Sequence, residues 1–218
     1  MKLPAALVLC LALAAPAAAQ DLPDLPGLDD LPEPTRYLAG YVSVSGGQAL
    51  PYGGHWGDKD AGFKASQFAG LAVSKRVDEL LSYGLEADYA PSHKNRSVPE
   101  MGFRMFALSP FVKASFPSDS AVYYGVLGAG IYQWSSPAYT AGGTRYGSAS
   151  GSSAGLSLGG GVSYSFLFGT RLGVELRWHH VFNVKGGGLD MGATDTLNAG
   201  LTLTYGVWKD RAKPAGGS

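Results

Sequence analysis

Between Ser153 and Phe166 the chain alternates with a period of two. Leu156, Leu158, Gly160, Val162, Tyr164 and Phe166 fall on one parity, and Gly155, Ser157, Gly159, Gly161, Ser163 and Ser165 on the other. Successive side chains of an extended strand point to opposite faces, so the pattern specifies a strand with one apolar face and one small or polar face. Its length constrains the fold more than its existence does. Globular strands have about 5–6 residues, whereas a tilted strand needs about 9–11 to cross a bilayer.

The pattern recurs. Leu172, Val174, Leu176 and Trp178 alternate with Arg171, Gly173, Glu175, Arg177 and His179. Leu197, Ala199, Leu201, Leu203, Tyr205 and Val207 alternate with Asn198, Gly200, Thr202, Thr204 and Gly206 before Trp208. Tyr83, Leu85, Ala87 and Tyr89 alternate with Ser82, Gly84, Glu86 and Asp88. Further strands are read at Tyr37–Ser45, near Gly62–Lys75, at 101–114 and at Ala121–Trp134. In 101–114 both parities are apolar and Pro110 interrupts, which predicts a bulge or an early strand end. These eight segments are joined by short turns near 76–80, 117–120 and 167–170. Long polar linkers lie near 46–61, 90–99, 135–152 and 184–193, and the Ser/Gly-rich 135–152 reads as a mobile loop. Alternating short and long connections is the layout of an up-and-down transmembrane barrel. Eight strands leave a lumen filled by side chains.

Glu86, Asp88, Glu175 and Arg177 fall on the small-residue parity of their segments, while the parity of Arg104 in 101–114 is ambiguous. Glu86, Asp88, Arg104, Glu175 and Arg177 are therefore expected to face the lumen as one paired network, since charge on the lipid face is costly. Such a network is structural, or else lines a narrow path for ions or small solutes.

Composition narrows the function. The 17 Lys+Arg balance the 17 Asp+Glu, so no basic excess points to nucleic acid. Charged residues are 16%, and the 32 Gly, 12 Tyr, 9 Phe and 4 Trp argue against both disorder and a helix bundle. The lone Cys10 excludes a disulfide framework within the chain and a Cys-rich zinc site. Lys2, the apolar Leu3–Ala15 and the small residues 15–19 read as a secretory signal peptide over 1–19. The apolar run is too short for a spanning helix, and Leu9 before Cys10 argues against a lipoprotein signal. Residues 20–36 follow as an acidic, Pro-spaced periplasmic linker with Leu-Pro at 22–23, 25–26 and 31–32, or alternatively a docking motif. The barrel is assigned to 37–208, and 209–218 is a polar periplasmic tail.

The stretches SAGLSLGGGVSYSFLFGTRLGVELRWHHVF (153–182) and NAGLTLTYGVW (198–208), with the hairpin-like 109–134, resemble the small outer-membrane β-barrels of the OmpA/OmpX type. The resemblance implies a Gram-negative outer-membrane protein, OmpA-like or porin-like, monomeric and surrounded by lipid and lipopolysaccharide. It also implies delivery by the barrel assembly machinery, which reads a C-terminal aromatic; Trp208 would play that part, although ten residues follow it.

Little catalytic chemistry is legible. The Gly runs 159–161 and 186–188 lack the Lys and helix of a phosphate loop, and nothing calls for a metal or cofactor. His179 and His180 are strand neighbours and point to opposite faces, so they do not share a metal. The region is similar to lipid A deacylases, barrels with a catalytic His, a Ser two positions on and an acid. Here Val181 and Phe182 stand at the two candidate Ser positions, and the expectation is a non-enzyme. Recognition is left to the loops: Tyr52, His55 and Trp56 in the first, and His93, Lys94 and Arg96 in the second, offer contacts to lipopolysaccharide phosphates, a host surface or an envelope partner. The roles expected are envelope support or loop-mediated interaction.

Overall fold

A computed structural model describes residues 36–167, 169–187 and 189–210. The signal peptide, most of the acidic linker and the tail read from the sequence lie outside the described residues. The described residues form ten strands: β1 (Arg36–Tyr52), β2 (Ser66–Arg76), β3 (Leu81–Lys94), β4 (Gly102–Pro117), β5 (Ala121–Ser136), β6 (Tyr139–Ala141), β7 (Thr144–Tyr146), β8 (Ala149–Leu167), β9 (Thr170–Gly186) and β10 (Leu189–Asp210). Eight of them close an antiparallel barrel in the order β1-β10-β9-β8-β5-β4-β3-β2. Consecutive barrel strands pair, β5 with β8 past the separate β6–β7 hairpin, and β1 closes on β10 from Arg36↔Asp210 to Tyr52↔Asp195. Closure gives every barrel strand a partner on both sides, which a lipid environment demands.

The connections at 77–80, 118–120 and 168–169 define a turn end. Those at 53–65, 95–101, 137–148 and 187–188 define a loop end. The loop end departs from the sequence reading because the strands run further than expected. β1 continues through Pro51, which is tolerable there because pairing with β2 stops at Ala49↔Ser66 and leaves the strand bonded on one side. Little of the linker expected at 184–193 remains, since β9 runs to Gly186 and β10 begins at its ladder partner Leu189; Gly187 has φ +57°. Asn183 (φ 51°) and Gly192 (φ 65°) sit at the adjoining irregularities of the β9–β10 ladder. The loop 137–148 contains the β6–β7 hairpin, with Tyr139 stacked on Tyr146 at 4.8 Å. Pro110 neither bulges nor ends β4: it pairs with Leu85, and the β4–β5 ladder resumes in the same register at Phe111↔Gly128.

The outward face is apolar around the whole circumference. Val44, Leu71, Leu85, Leu108, Leu127, Leu158, Val174 and Leu201, one from each barrel strand, are all exposed. A belt of this kind far exceeds the few hundred Å² of apolar patch on a soluble monomer, and a bilayer is the solvent that suits it. Toward the turn end the belt becomes aromatic, with Tyr37, Phe116, Tyr123, Phe166, Tyr205 and Trp208 exposed. Tyr89 and Phe106, partners across β3–β4, and Phe182 do the same toward the loop end. Aromatic girdles at both margins mark the two membrane–water interfaces.

Candidate functional site

The inward parity fills the lumen in three layers. The charged layer is built by β3 and β9. Arg177 forms ion pairs with Glu86 and, at 2.7 Å, with Glu175, and the side chains of Arg177 and Glu86 are 7% and 8% exposed. The Tyr124 hydroxyl donates to Glu175 Oε2 at 2.9 Å, and Lys113 Nζ stands 3.7 Å over the Tyr124 ring. Asp88 lines the same small cavity as Glu175, Arg177, His179 and Asn198. Gly70 keeps room for it, since a Cβ there would strike Asp88 Oδ1 and Ser45 Oγ. Thus Glu86, Asp88, Glu175 and Arg177 converge as the alternation implied.

Arg104 does not join them. On β4 the buried side chains are Phe103, Met105, Ala107, Ser109 and Phe111, so Arg104 points outward near the loop end and is exposed. With both parities apolar, alternation alone does not orient this strand. The cation β4 contributes to the lumen is Lys113, on the parity of Phe111.

The second layer is polar. His179, 3% exposed, has Nδ1 at 3.0 Å from the Tyr132 hydroxyl and Nε2 at 3.2 Å from the Asn198 amide nitrogen. Both ring nitrogens therefore have a hydrogen-bond partner.

The third layer is an apolar plug at the loop end. Trp56, Phe63, Met101, Phe103, Met105, Tyr132, Trp134, Val181 and Val184 form one buried cluster. Trp56 is its centre. Its ring lies 4.6 Å from Phe63, 4.9 Å from Phe103 and 5.1 Å from His93, and its Nε1 donates to Thr196 Oγ1 at 3.2 Å. Two of the residues read as loop contacts are therefore inside. Trp56 and His93 are each 1% exposed, whereas Tyr52, His55, Lys94 and Arg96 are exposed as expected. The barrel mouth needs apolar volume that the strands do not supply, and the first loop folds back to provide it.

The fold of that loop is local chemistry. Gly57 N donates to Gly53 O, and Phe63 N to Trp56 O at 2.9 Å. The Asp58 carboxylate accepts from the Asp60 and Ala61 amides, each at 2.8 Å. Those two bonds hold its pKa below the usual 3.8. A depressed carboxylate stabilises the fold above its unfolded pKa, and the contribution is lost as pH falls through the folded value. The Asp60 and Ala61 amide resonances should therefore titrate with a midpoint below 3.8. A midpoint at or above it would mean that the carboxylate is not bonded there.

The cavities left beside the charged and histidine layers measure about 10 and 20 Å³. That is room for one water, not for a passing solute. Among the described residues no group of three or more His, Cys, Asp or Glu is placed to hold a metal.

One polar feature lies on the outer wall. His180 Nδ1 is 2.7 Å from Asp195 Oδ1, across the β9–β10 ladder and on the parity opposite to His179. Phe182 packs its ring edge to face against His180 at 4.8 Å. The pair was missed in the sequence because the two residues are distant along it and meet only through the ladder register.

No family model matches the chain, and no curated protein matches it. Among solved structures, the fold is similar to Neisserial surface protein A (17% identity, 75% of this chain and 96% of that one, TM-score 0.49). It is also similar to the outer membrane protein OprG from Pseudomonas aeruginosa (13%, 78% and 97%, TM-score 0.46). A third is Ail, the attachment invasion locus protein of Yersinia pestis (17%, 77% and 100%, TM-score 0.43). At these identities the likeness concerns the closed barrel alone.

Proposed function

We propose that this is a non-catalytic outer-membrane barrel with a closed lumen. Its role is to brace the envelope or to present its loop end to a partner. The carrying observation is the combination of an apolar outer belt on all eight strands with a lumen occupied by ion pairs, a bonded histidine and an aromatic plug. The belt favours a monomer surrounded by lipid, inserted by the barrel assembly machinery. The filled interior favours a surface role over transport, and the exposed Tyr52, His55, Lys94 and Arg96 are the loop residues available for contact.

A lipid-modifying site has the outward His180–Asp195 pair in its favour, an imidazole held by a carboxylate at the membrane margin. Two residues beyond His180, at the outward position where such a pair would activate a Ser, stands Phe182. The lipid A mass spectrum is expected to stay unchanged on overexpression.

Two measurements test the main reading together. Membrane-extracted protein should run as a compact band that shifts on boiling, because a closed barrel survives detergent. In planar bilayers it should give no single-channel steps. A soluble, unshifted protein would sink the membrane assignment, and reproducible steps would sink the closed lumen.

A further inference from the structure

Four cations at the loop end face outward and are used by neither the lumen nor the fold. Phe63 and Asn95 form an antiparallel bridge, and Lys64 N donates to Lys94 O at 2.8 Å. Lys64 and Lys94 are therefore opposite one another in register. Phe63 and Asn95 are buried on the inner side, 5% and 9% exposed, so the two lysines between them face out, and both are exposed. Arg96, anchored by its amide to Gly62 O at 2.8 Å, follows Lys94 on the same face. On the other flank Lys94 pairs with Gly102 of β4, and Arg104 follows Gly102 on the outward face.

Like charges set opposite each other in a ladder are unfavourable. Among the described residues none of the four cations takes part in an ion pair. Among the described residues the carboxylates of this region, Asp58, Asp60 and Glu100, form no ion pair with them: Asp58 accepts from backbone amides and Asp60 lies 3.9 Å from Lys59. Directly beneath Arg104 on the same face comes Phe106, beside Tyr89, where the apolar belt ends. Two residues of strand rise about 7 Å, so Arg104 stands about 7 Å along the strand above Phe106, and Lys94 and Lys64, level with Gly102, about 14 Å, the span of a headgroup layer over an acyl-chain surface.

We propose that Lys64, Lys94, Arg96 and Arg104 seat the phosphate groups of an outer-leaflet lipid, a phosphorylated glycolipid whose acyl chains lie along the belt below Phe106 and Tyr89. The site rests on the membrane reading above and gives the barrel a specific lipid partner. Planar guanidinium groups suit phosphate oxygens bidentately, and the paired lysines add charge without demanding geometry. Partial exclusion of water at the membrane margin strengthens both.

The test uses the full chain refolded in a neutral detergent, first checked for the heat-dependent gel shift. Bis-phosphorylated lipid A is titrated in, and the bound lipid is counted by native mass spectrometry. One lipid A should be retained. The triple variant Lys64→Gln, Lys94→Gln, Arg104→Gln should weaken it tenfold or more while keeping the gel shift, and dephosphorylated lipid A should lose as much on the unaltered protein. Equal retention by protein and variant, or of lipid A with and without phosphates, would overturn the site. Displacement of lipid A by millimolar inorganic phosphate would also overturn it, by showing an anion site with no need of the acyl chains. Failure of the gel shift in the unaltered protein would instead remove the membrane reading on which the site stands.

Discussion

Arg177→Met should destabilise the folded barrel by about 3–5 kcal/mol, the cost of leaving buried charges without their partner. Arg177 is the hub of the charged layer, held by Glu86 and Glu175, with the Tyr124 hydroxyl on the far oxygen of Glu175. Methionine fills much of the same volume, so the loss is electrostatic and not a cavity. It leaves the Glu86 and Glu175 carboxylates, with Asp88 on the same cavity, without the cation that pairs them. The temperature at which the compact gel band is lost should fall by roughly 6–20 °C. A second substitution separates cause from bulk. Adding Glu86→Gln to Arg177→Met removes one orphaned charge, so the double variant should regain part of the loss. A double variant lower than the single by the full additive amount would show that Glu86 and Arg177 do not act as a pair.

The parity that placed this cluster is the strongest signal in the chain. Strand alternation is a local rule, and in β3, β8, β9 and β10 nothing competes with it. Glu86 and Glu175 therefore announce their side of the wall from sequence alone. It fails on β4 for a physical reason. The lumen changes character along its length, charged below and aromatic above, so a strand whose inner face is Phe103, Met105 and Phe111 looks apolar on both sides. Arg104, expected in the lumen, faces out, and Lys113 is the cation that faces in. The loop end was harder to read because Gly, Pro and polar residues resemble linkers even where the ladder continues, as at Pro51 and around Gly187. His180 and Asp195 meet only because the β9–β10 register passes two irregularities, which no spacing rule anticipates. Trp56 and His93 were misread as contacts because an aromatic among glycines looks the same whether the loop extends or folds inward.

Trp56→Ala separates those two possibilities. Inside the plug, Trp56 is 1% exposed, is packed by Phe63, Phe103 and His93, and donates to Thr196. Truncating a buried Trp costs about 3–5 kcal/mol and leaves a cavity. The first loop hangs from this side chain, and loops open locally before the barrel melts. The effect should therefore appear first as opening of 53–65. Trypsin cleavage after Lys59 and Lys64 should rise by about a hundredfold, the equilibrium factor of some 3 kcal/mol, when opening is fast relative to cleavage. Trp56→Phe should recover most of the protection, lacking only the bond to Thr196. Planar-bilayer recordings of Trp56→Ala should stay silent, because the Arg177 and His179 layers still fill the lumen beneath. Unchanged cleavage and unchanged melting would place Trp56 back at the surface as a contact residue. Single-channel steps would instead make the plug the sole barrier and the charged layer a conducting path.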